Sequence, residues 1–225
     1  MAAPPIAVFD LDGTLAETAG DLIGTLNVLL TREGLAELPL SQARELIGAG
    51  AKALIKRGFE AEGREIGPAE HERLFDDFIA HYGEHLADTS HLFDGVVQAL
   101  DRLEASGFRL AVCTNKYEGQ SVKLLGLLGI ADRFAAICGR DTFPQSKPDP
   151  RHLTGTIERA GGDPARAVMV GDSRTDIDTA KAAGIPVVAV TFGYTDTPVS
   201  ELGPDRVIEH FSDLHEAVTA LVRVA

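Results

Sequence analysis

The apolar pattern of the chain changes period several times. Ile6-Ala7-Val8-Phe9 is a continuous apolar run, the pattern of a short strand buried on both faces. From Glu17 to Glu33 the apolar positions Leu22, Ile23, Leu26, Leu29 and Leu30 recur at helical spacing. Gly34 and Pro39 close that segment. Ser41 is placed to cap a helix carrying Arg44 and Glu45. Gly48-Ala49-Gly50-Ala51 interrupts, and a short helix resumes from Lys52 to Gly58. Pro68 opens a helix to about Ala87, with Leu74, Phe75, Phe78, Ile79 and Tyr82 on one face. Residues 16–91 therefore read as all-helical, with apolar faces of their own sufficient for a small bundle.

The character changes near Leu92. Helices are expected from Asp94-Gly95 to Gly107, over Glu118–Leu128, Pro150–Ala160, Thr175–Ala183 and Asp213–Arg223. Strands are expected at Arg109–Thr114, Phe134–Cys138, Ala167–Gly171, Pro186–Val190 and Arg206–Ile208. Alternation of this kind predicts an α/β fold with a mostly parallel sheet and helices on both faces. The strand before Asp10 belongs to that sheet. The expected division is a core of residues 1–15 and 92–225 and an inserted helical domain of residues 16–91. Such an insert tends to sit as a lid over a site.

Length and composition suit this picture without adding to it: 225 residues, 44% hydrophobic, 24% charged. The formal net charge of −13 argues against nucleic acid and anionic membranes as partners. Met1-Ala2-Ala3-Pro4-Pro5 has neither a basic region nor a long apolar run, and no stretch reaches membrane-spanning length. Cys113 and Cys138 lie in apolar strand contexts without metal-binding spacing. A cytoplasmic protein with reduced thiols, monomeric or homodimeric, is expected.

Candidate chemistry gathers after the strands, where open α/β sheets bind ligands. Asp10-Leu11-Asp12-Gly13-Thr14 follows the first strand. Thr114-Asn115-Lys116 follows the next, and Arg140, Asp141 and Ser146-Lys147-Pro148-Asp149 follow the third. Gly171-Asp172-Ser173-Arg174-Thr175-Asp176 completes the set. Asp10 and Asp12 stand at i and i+2, so an extended segment points both the same way. Carboxylates that close resist ionising together unless a cation offsets them. A hard, all-oxygen set of Asp10, Asp12, Asp172 and Asp176 suits magnesium. Thr114, Asn115 and Lys147 supply donors for an anion. A cation and anion donors around a nucleophilic carboxylate are the equipment for phosphoryl transfer through an aspartyl phosphate.

These four motifs, Asp10-Leu11-Asp12-Gly13-Thr14, Thr114-Asn115, Lys147-Pro148 and Gly171 to Asp176, resemble those of haloacid dehalogenase superfamily phosphatases. The resemblance covers nearly the whole chain, including the helical cap after the first motif. It implies a Rossmann-like core and dependence on Mg2+. It implies Asp10 as nucleophile and Asp12 as the acid that protonates the leaving alcohol, then as the base that activates water. Asp10, the backbone carbonyl of Asp12, and Asp172 would hold the metal, with Asp176 supporting it. Thr114 and Lys147 would hold the phosphoryl group, and Asn115 would shape the pocket. Two departures, Glu17-Thr18 for Asp-Ser and Asp94-Gly95 for Pro-Gly, lie near the cap hinges.

More narrowly, Ile47-Gly48-Ala49-Gly50-Ala51, Val112-Cys113-Thr114-Asn115-Lys116 and Thr191-Phe192-Gly193-Tyr194 resemble the phosphoglycolate phosphatase branch. In the cap, Gly48 and Gly50 offer backbone amides at a helix start, with Lys52 and Arg44 nearby, an expected site for a small phosphorylated acid such as 2-phosphoglycolate. Related chemistries stay open. A sugar phosphate mutase shares all four motifs. A phosphonoacetaldehyde hydrolase would need a Schiff-base lysine, for which Lys52 is the candidate. A dehalogenase lacks the second aspartate, and a non-catalytic binding protein has no need of the acid set.

Overall fold

The first strand sits at the centre of the molecule because nothing in it is polar. In the computed structural model, which describes residues 3–43, 46–47, 50–195 and 197–222, β1 (Ile6–Phe9) is wholly buried. Ala7 and Phe9 face one apolar layer and Ile6 and Val8 the other, as the two-residue period of a strand requires. Short β2 (Ala16–Glu17) follows, then α1 (Ala19–Arg32), α2 (Leu40–Ala43), α3 (Ala51–Ala61) and α4 (Pro68–Glu84). After β3 (His91–Leu92) come α5 (Val96–Ala105), β4 (Arg109–Cys113), α6 (Glu118–Leu127), β5 (Ala136–Cys138) and α7 (Pro150–Arg159). The chain ends with β6 (Ala167–Gly171), α8 (Arg174–Ala183), β7 (Val187–Val190), β8 (Arg206–Ile208) and α9 (Leu214–Leu221).

Six strands form one parallel sheet in the order β5-β4-β1-β6-β7-β8. From β1 the chain builds outward through β4 and β5, then returns to the other side of β1 with β6. The reversal leaves a crevice at the carboxyl ends of β4, β1 and β6, the place where such sheets bind ligands. The α/β class expected from the alternating pattern is the one found. Helices α1, α3 and α4 pack around a separate apolar cluster that includes Leu26, Leu54, Phe59, Phe78 and Tyr82.

Several boundaries differ from the sequence expectation. Residues 16–17 form a strand, not a helix start, pairing antiparallel with His91 and Leu92. The partner lies far along the chain, so no local pattern announces it. Ser41 lies inside α2 and does not cap it, while α3 runs beyond Gly58 to Ala61. Arg44 and Gly48 lie outside the described residues.

Asp21 fastens the two ends of the helical segment. Its carboxylate accepts from the backbone and hydroxyl of Thr89 (2.9 and 2.6 Å) and from those of Ser90 (2.9 and 2.6 Å). In the core, Asp149 caps α7 by accepting from Arg151 N–H, and Pro150 takes the first helical position. One turn in, buried His152 accepts from the Lys147 N–H through Nδ1 at 3.1 Å. Burial, then the Lys147 charge, pushes His152 down to about 4.

Replacing Asp21 with Ala leaves four donors without their acceptor and should cost about 2–4 kcal/mol, read from urea unfolding. His152 predicts a pH effect of definite sign. Below pH 6.5 the unfolded chain takes up a proton that folded His152 refuses until about pH 4. Its contribution therefore lowers stability progressively across that window, by about 3 kcal/mol in full. His152→Gln should flatten this part of the stability–pH curve; an unchanged difference between pH 7 and pH 5 would rule the residue out.

Candidate active site

Parallel pairing sets the site. Neighbouring strands lie about 4.8 Å apart, so the residues that leave β1 and β6 are forced together. Asp10 follows β1 and Asp172 follows β6, and Asp176 comes from the first turn of α8. One oxygen from each of these three buried carboxylates lies within 4.8 Å of the others. Two glycines make room for Asp172. A Cβ on Gly13, whose φ is +83°, would stand 2.5 Å from its Oδ2, and one on Gly193 would stand 2.2 Å from its Cβ. Thr14 Oγ1 donates to Asp172 Oδ1 at 2.8 Å, and the Tyr194 N–H donates to Oδ2 at 2.6 Å.

Lys147 is the cation that makes this crowding tolerable. Its Nζ stands 3.0 Å from Asp10 Oδ1 and 2.5 Å from Asp176 Oδ1. Burial pushes the ammonium down, but Asp10 and Asp176 outweigh it and hold Lys147 above its ordinary range. The other oxygen of Asp176 accepts from Asp172 N–H, Ser173 N–H and Ser173 Oγ. Both oxygens of Asp176 are thus taken up in holding Lys147 and the start of α8. Asn115 holds the same loop from the other side, its Nδ2 donating to the Lys147 carbonyl at 3.1 Å.

Even so, the carboxylates are under-neutralised. Burial first, then the charge of Asp176, raises Asp10, and Lys147 opposes them; the balance stands at about 6. Burial, Asp176 and Asp10 push Asp172 well above its usual range. Fully ionised, Asp10, Asp12, Asp172 and Asp176 would carry four negative charges against the two ammoniums of Lys147 and Lys116. The deficit of two, with an all-oxygen donor set, fits one divalent cation.

Asp12 is separated from this cluster. Its carboxylate accepts from Lys116 Nζ at 2.8 and 2.9 Å and from Thr18 Oγ1 at 2.8 Å. Lys116 also donates to the hydroxyl of Tyr82, on α4, at 2.8 Å. Burial works against this buried ammonium, but Asp12 and Tyr82 keep it above its ordinary range. The Tyr82 hydroxyl is itself raised by burial, to about 12, so it stays a neutral acceptor there.

Asp10, Asp12, Thr114, Asn115 and Asp172 line one cavity of about 70 Å³ between the sheet ends and the helical segment. Gly50, Leu54 and Phe78 close it from the helical side. Lys52 does not line it. Its Nζ sits between the two oxygens of Glu72 at 2.6 and 2.7 Å, with the Phe75 ring below it at 4.8 Å, on the half-exposed face of the segment. Nearness to Gly50 in sequence suggested a substrate contact; the turn of α3 directs the side chain toward α4 instead. Among the described residues the cavity's cations are Lys116 and Arg140, both noted after their strands but given no role from the sequence. Lys116 had a readable signal, since it stands two residues after Thr114, past the end of β4.

The haloacid dehalogenase-like hydrolase family model matches residues 7–190. A phosphoglycolate phosphatase of Mesorhizobium japonicum is 51% identical over 222 residues, covering 98% of each chain. One from Agrobacterium fabrum is 47% identical, covering 95% of this chain and 92% of its own. Among solved structures, a predicted phosphoglycolate phosphatase from Haemophilus somnus superposes with a TM-score of 0.87 at 31% identity, over 94% of this chain and 96% of that one. With the four strand-end motifs gathered at one end of the sheet, these likenesses identify the chain as a phosphatase, a member of the haloacid dehalogenase-like hydrolase family.

Proposed function

We propose that the protein hydrolyses the phosphate monoester of a small phosphorylated acid, 2-phosphoglycolate being the first candidate, through an aspartyl phosphate on Asp10. The observation that carries this reading is the buried Asp10–Lys147–Asp176 ion cluster beside Asp172, opening onto a cavity that Thr114 and Asp12 also line. Relatives named phosphoglycolate phosphatase, up to 51% identical, support the substrate class.

Each side chain has a role that its surroundings favour. Asp10 attacks phosphorus. One of its oxygens is tied by the Leu11 N–H at 2.7 Å and by Lys147, which fixes the direction of the carboxylate. Lys147 and Thr114 stabilise the charge of the transferring group. Asp12 moves protons: it gives one to the leaving alcohol and takes one from the attacking water. Lys116 orients it for both steps. Asp10, the Asp12 carbonyl and Asp172 would hold Mg2+, with Asp176 behind them; the ion, when bound, would neutralise charge on the phosphoryl oxygens. Residues 16–91 act as a cap, and their helices exclude water from the cavity.

Lys52, the lysine a Schiff-base hydrolase would need, is ion-paired with Glu72 away from the cavity, which disfavours phosphonoacetaldehyde hydrolysis. No observation here favours a mutase over a phosphatase.

Purified protein with Mg2+ should release inorganic phosphate from 2-phosphoglycolate, and EDTA should stop it. Asp10→Asn should lower kcat by at least about 10³-fold while circular dichroism shows an unchanged fold. Substantial turnover in that variant would sink the aspartyl-phosphate mechanism. Lys52→Ala, by contrast, should leave kcat/KM for 2-phosphoglycolate within about 2-fold, as expected of an exposed ion pair. A tenfold rise in KM would return Lys52 to the site.

A further inference from the structure

Arg140 follows β5 on a loop that the core holds tightly. Its N–H donates to the Lys116 carbonyl at 2.9 Å. Gly139, just before it, lies so close to α6 that an added Cβ would stand 2.1 Å from the Glu118 nitrogen. From that anchor the side chain reaches toward the helical segment. Its guanidinium carbon stands 5.7 Å from the centroid of the Tyr117 ring. Its Nη1 would be 3.7 Å from a Cβ on Gly50, the residue that precedes α3. Arg140 thus lines the cavity where sheet loops and helical segment meet.

Among the described residues, the lysines of the region are committed. Lys147 serves Asp10 and Asp176, Lys116 serves Asp12 and Tyr82, and Lys52 serves Glu72. Among the described residues Arg140 has no carboxylate within ion-pair distance. A guanidinium is permanently charged and presents a planar fork of donors that matches a carboxylate. An aromatic face beside it favours the charged plane. The cavity is small, which suits a short spacer between two anionic groups inside it.

Resting on the phosphatase reading above, we propose that Arg140 binds the substrate's carboxylate, at the end remote from the phosphoryl group, and so selects short phosphorylated acids over neutral phosphate esters. The residue touches no reacting atom. Its contribution is the same in the bound substrate and in the transition state, so its loss falls on KM more than on kcat.

The test compares 2-phosphoglycolate with 2-hydroxyethyl phosphate, which carries an alcohol in place of the carboxylate. Arg140→Gln should lower kcat/KM for 2-phosphoglycolate by about 10–100-fold, the range of a charge-assisted pair. For 2-hydroxyethyl phosphate the change should stay within about 3-fold. Arg140→Lys keeps the charge without the fork and should fall between; its selectivity decides the matter if the Gln variant does not fold. Equal losses on both esters, or no loss on 2-phosphoglycolate, overturn the assignment. A second phosphate could engage the same fork, so glycerol 1,3-bisphosphate is included. A loss confined to that ester also overturns the carboxylate assignment. Wild-type enzyme that splits both small esters without preference overturns Arg140 alone. Wild-type enzyme that splits neither overturns the small-acid substrate reading proposed above, not Arg140 alone.

Discussion

Repulsion among carboxylates at one sheet end is the constraint that the rest of the site answers. Strand spacing brings Asp10 and Asp172 together whether or not their charges welcome it. Burial leaves little water to relieve the conflict. Lys147 enters from a third loop, Asp176 fixes Lys147, and Ser173 with the backbone of α8 fixes Asp176. Fully ionised, the arrangement would stay short of neutral by two charges. Burial, sharpened by that shortfall, leaves Asp10 and Asp172 hard to ionise, and the all-oxygen set fits a divalent cation. A site balanced by protein groups alone would have no need of one.

The two aspartates of the first motif share neither partners nor environment. Asp10 faces Lys147 and the acid cluster, while Asp12 faces Lys116 and Thr18. Lys116 reaches Asp12 from the sheet side and Tyr82 from the helical side, so one ammonium links Asp12 to the helical segment. The environment of Asp12 therefore includes the insert as well as the sheet.

The sheet and its acids were legible because both follow from local patterns. A continuous apolar run of four residues, followed by Asp-x-Asp-Gly, can be read without knowing its neighbours. Parallel topology then places each polar strand end in the same crevice, so Thr114, Lys147 and Asp172 could be gathered from order alone. What could not be read depends on direction. Lys52 stands only two residues after Gly50, yet the helix carries it round to Glu72, twenty residues on. Arg140 looks like any polar residue after a strand; only the contact between the loop after β5 and α3 gives it a cavity. Glu17 scans as the start of a helix because its partners, His91 and Tyr194, lie far along the chain.

Tyr194 ties the acid cluster to the base of the helical segment. Its backbone N–H holds Asp172, while its hydroxyl accepts from the N–H groups of Thr18 and Ala19 and donates to Glu17. Beyond Ala19, Gly20 runs so close to Thr89 that an added Cβ would meet its hydroxyl at 2.4 Å, and Asp21 clasps Thr89 and Ser90. The entering and leaving chains thus form a double-stranded neck, rooted in the sheet by one tyrosine. An exchange of helical inserts between relatives would keep the core's chemistry only by cutting both strands of that neck at matched positions, so that the two sides of the Asp21 clasp stay together. A graft that took one strand of the neck and not the other would carry the seam straight down to Asp172.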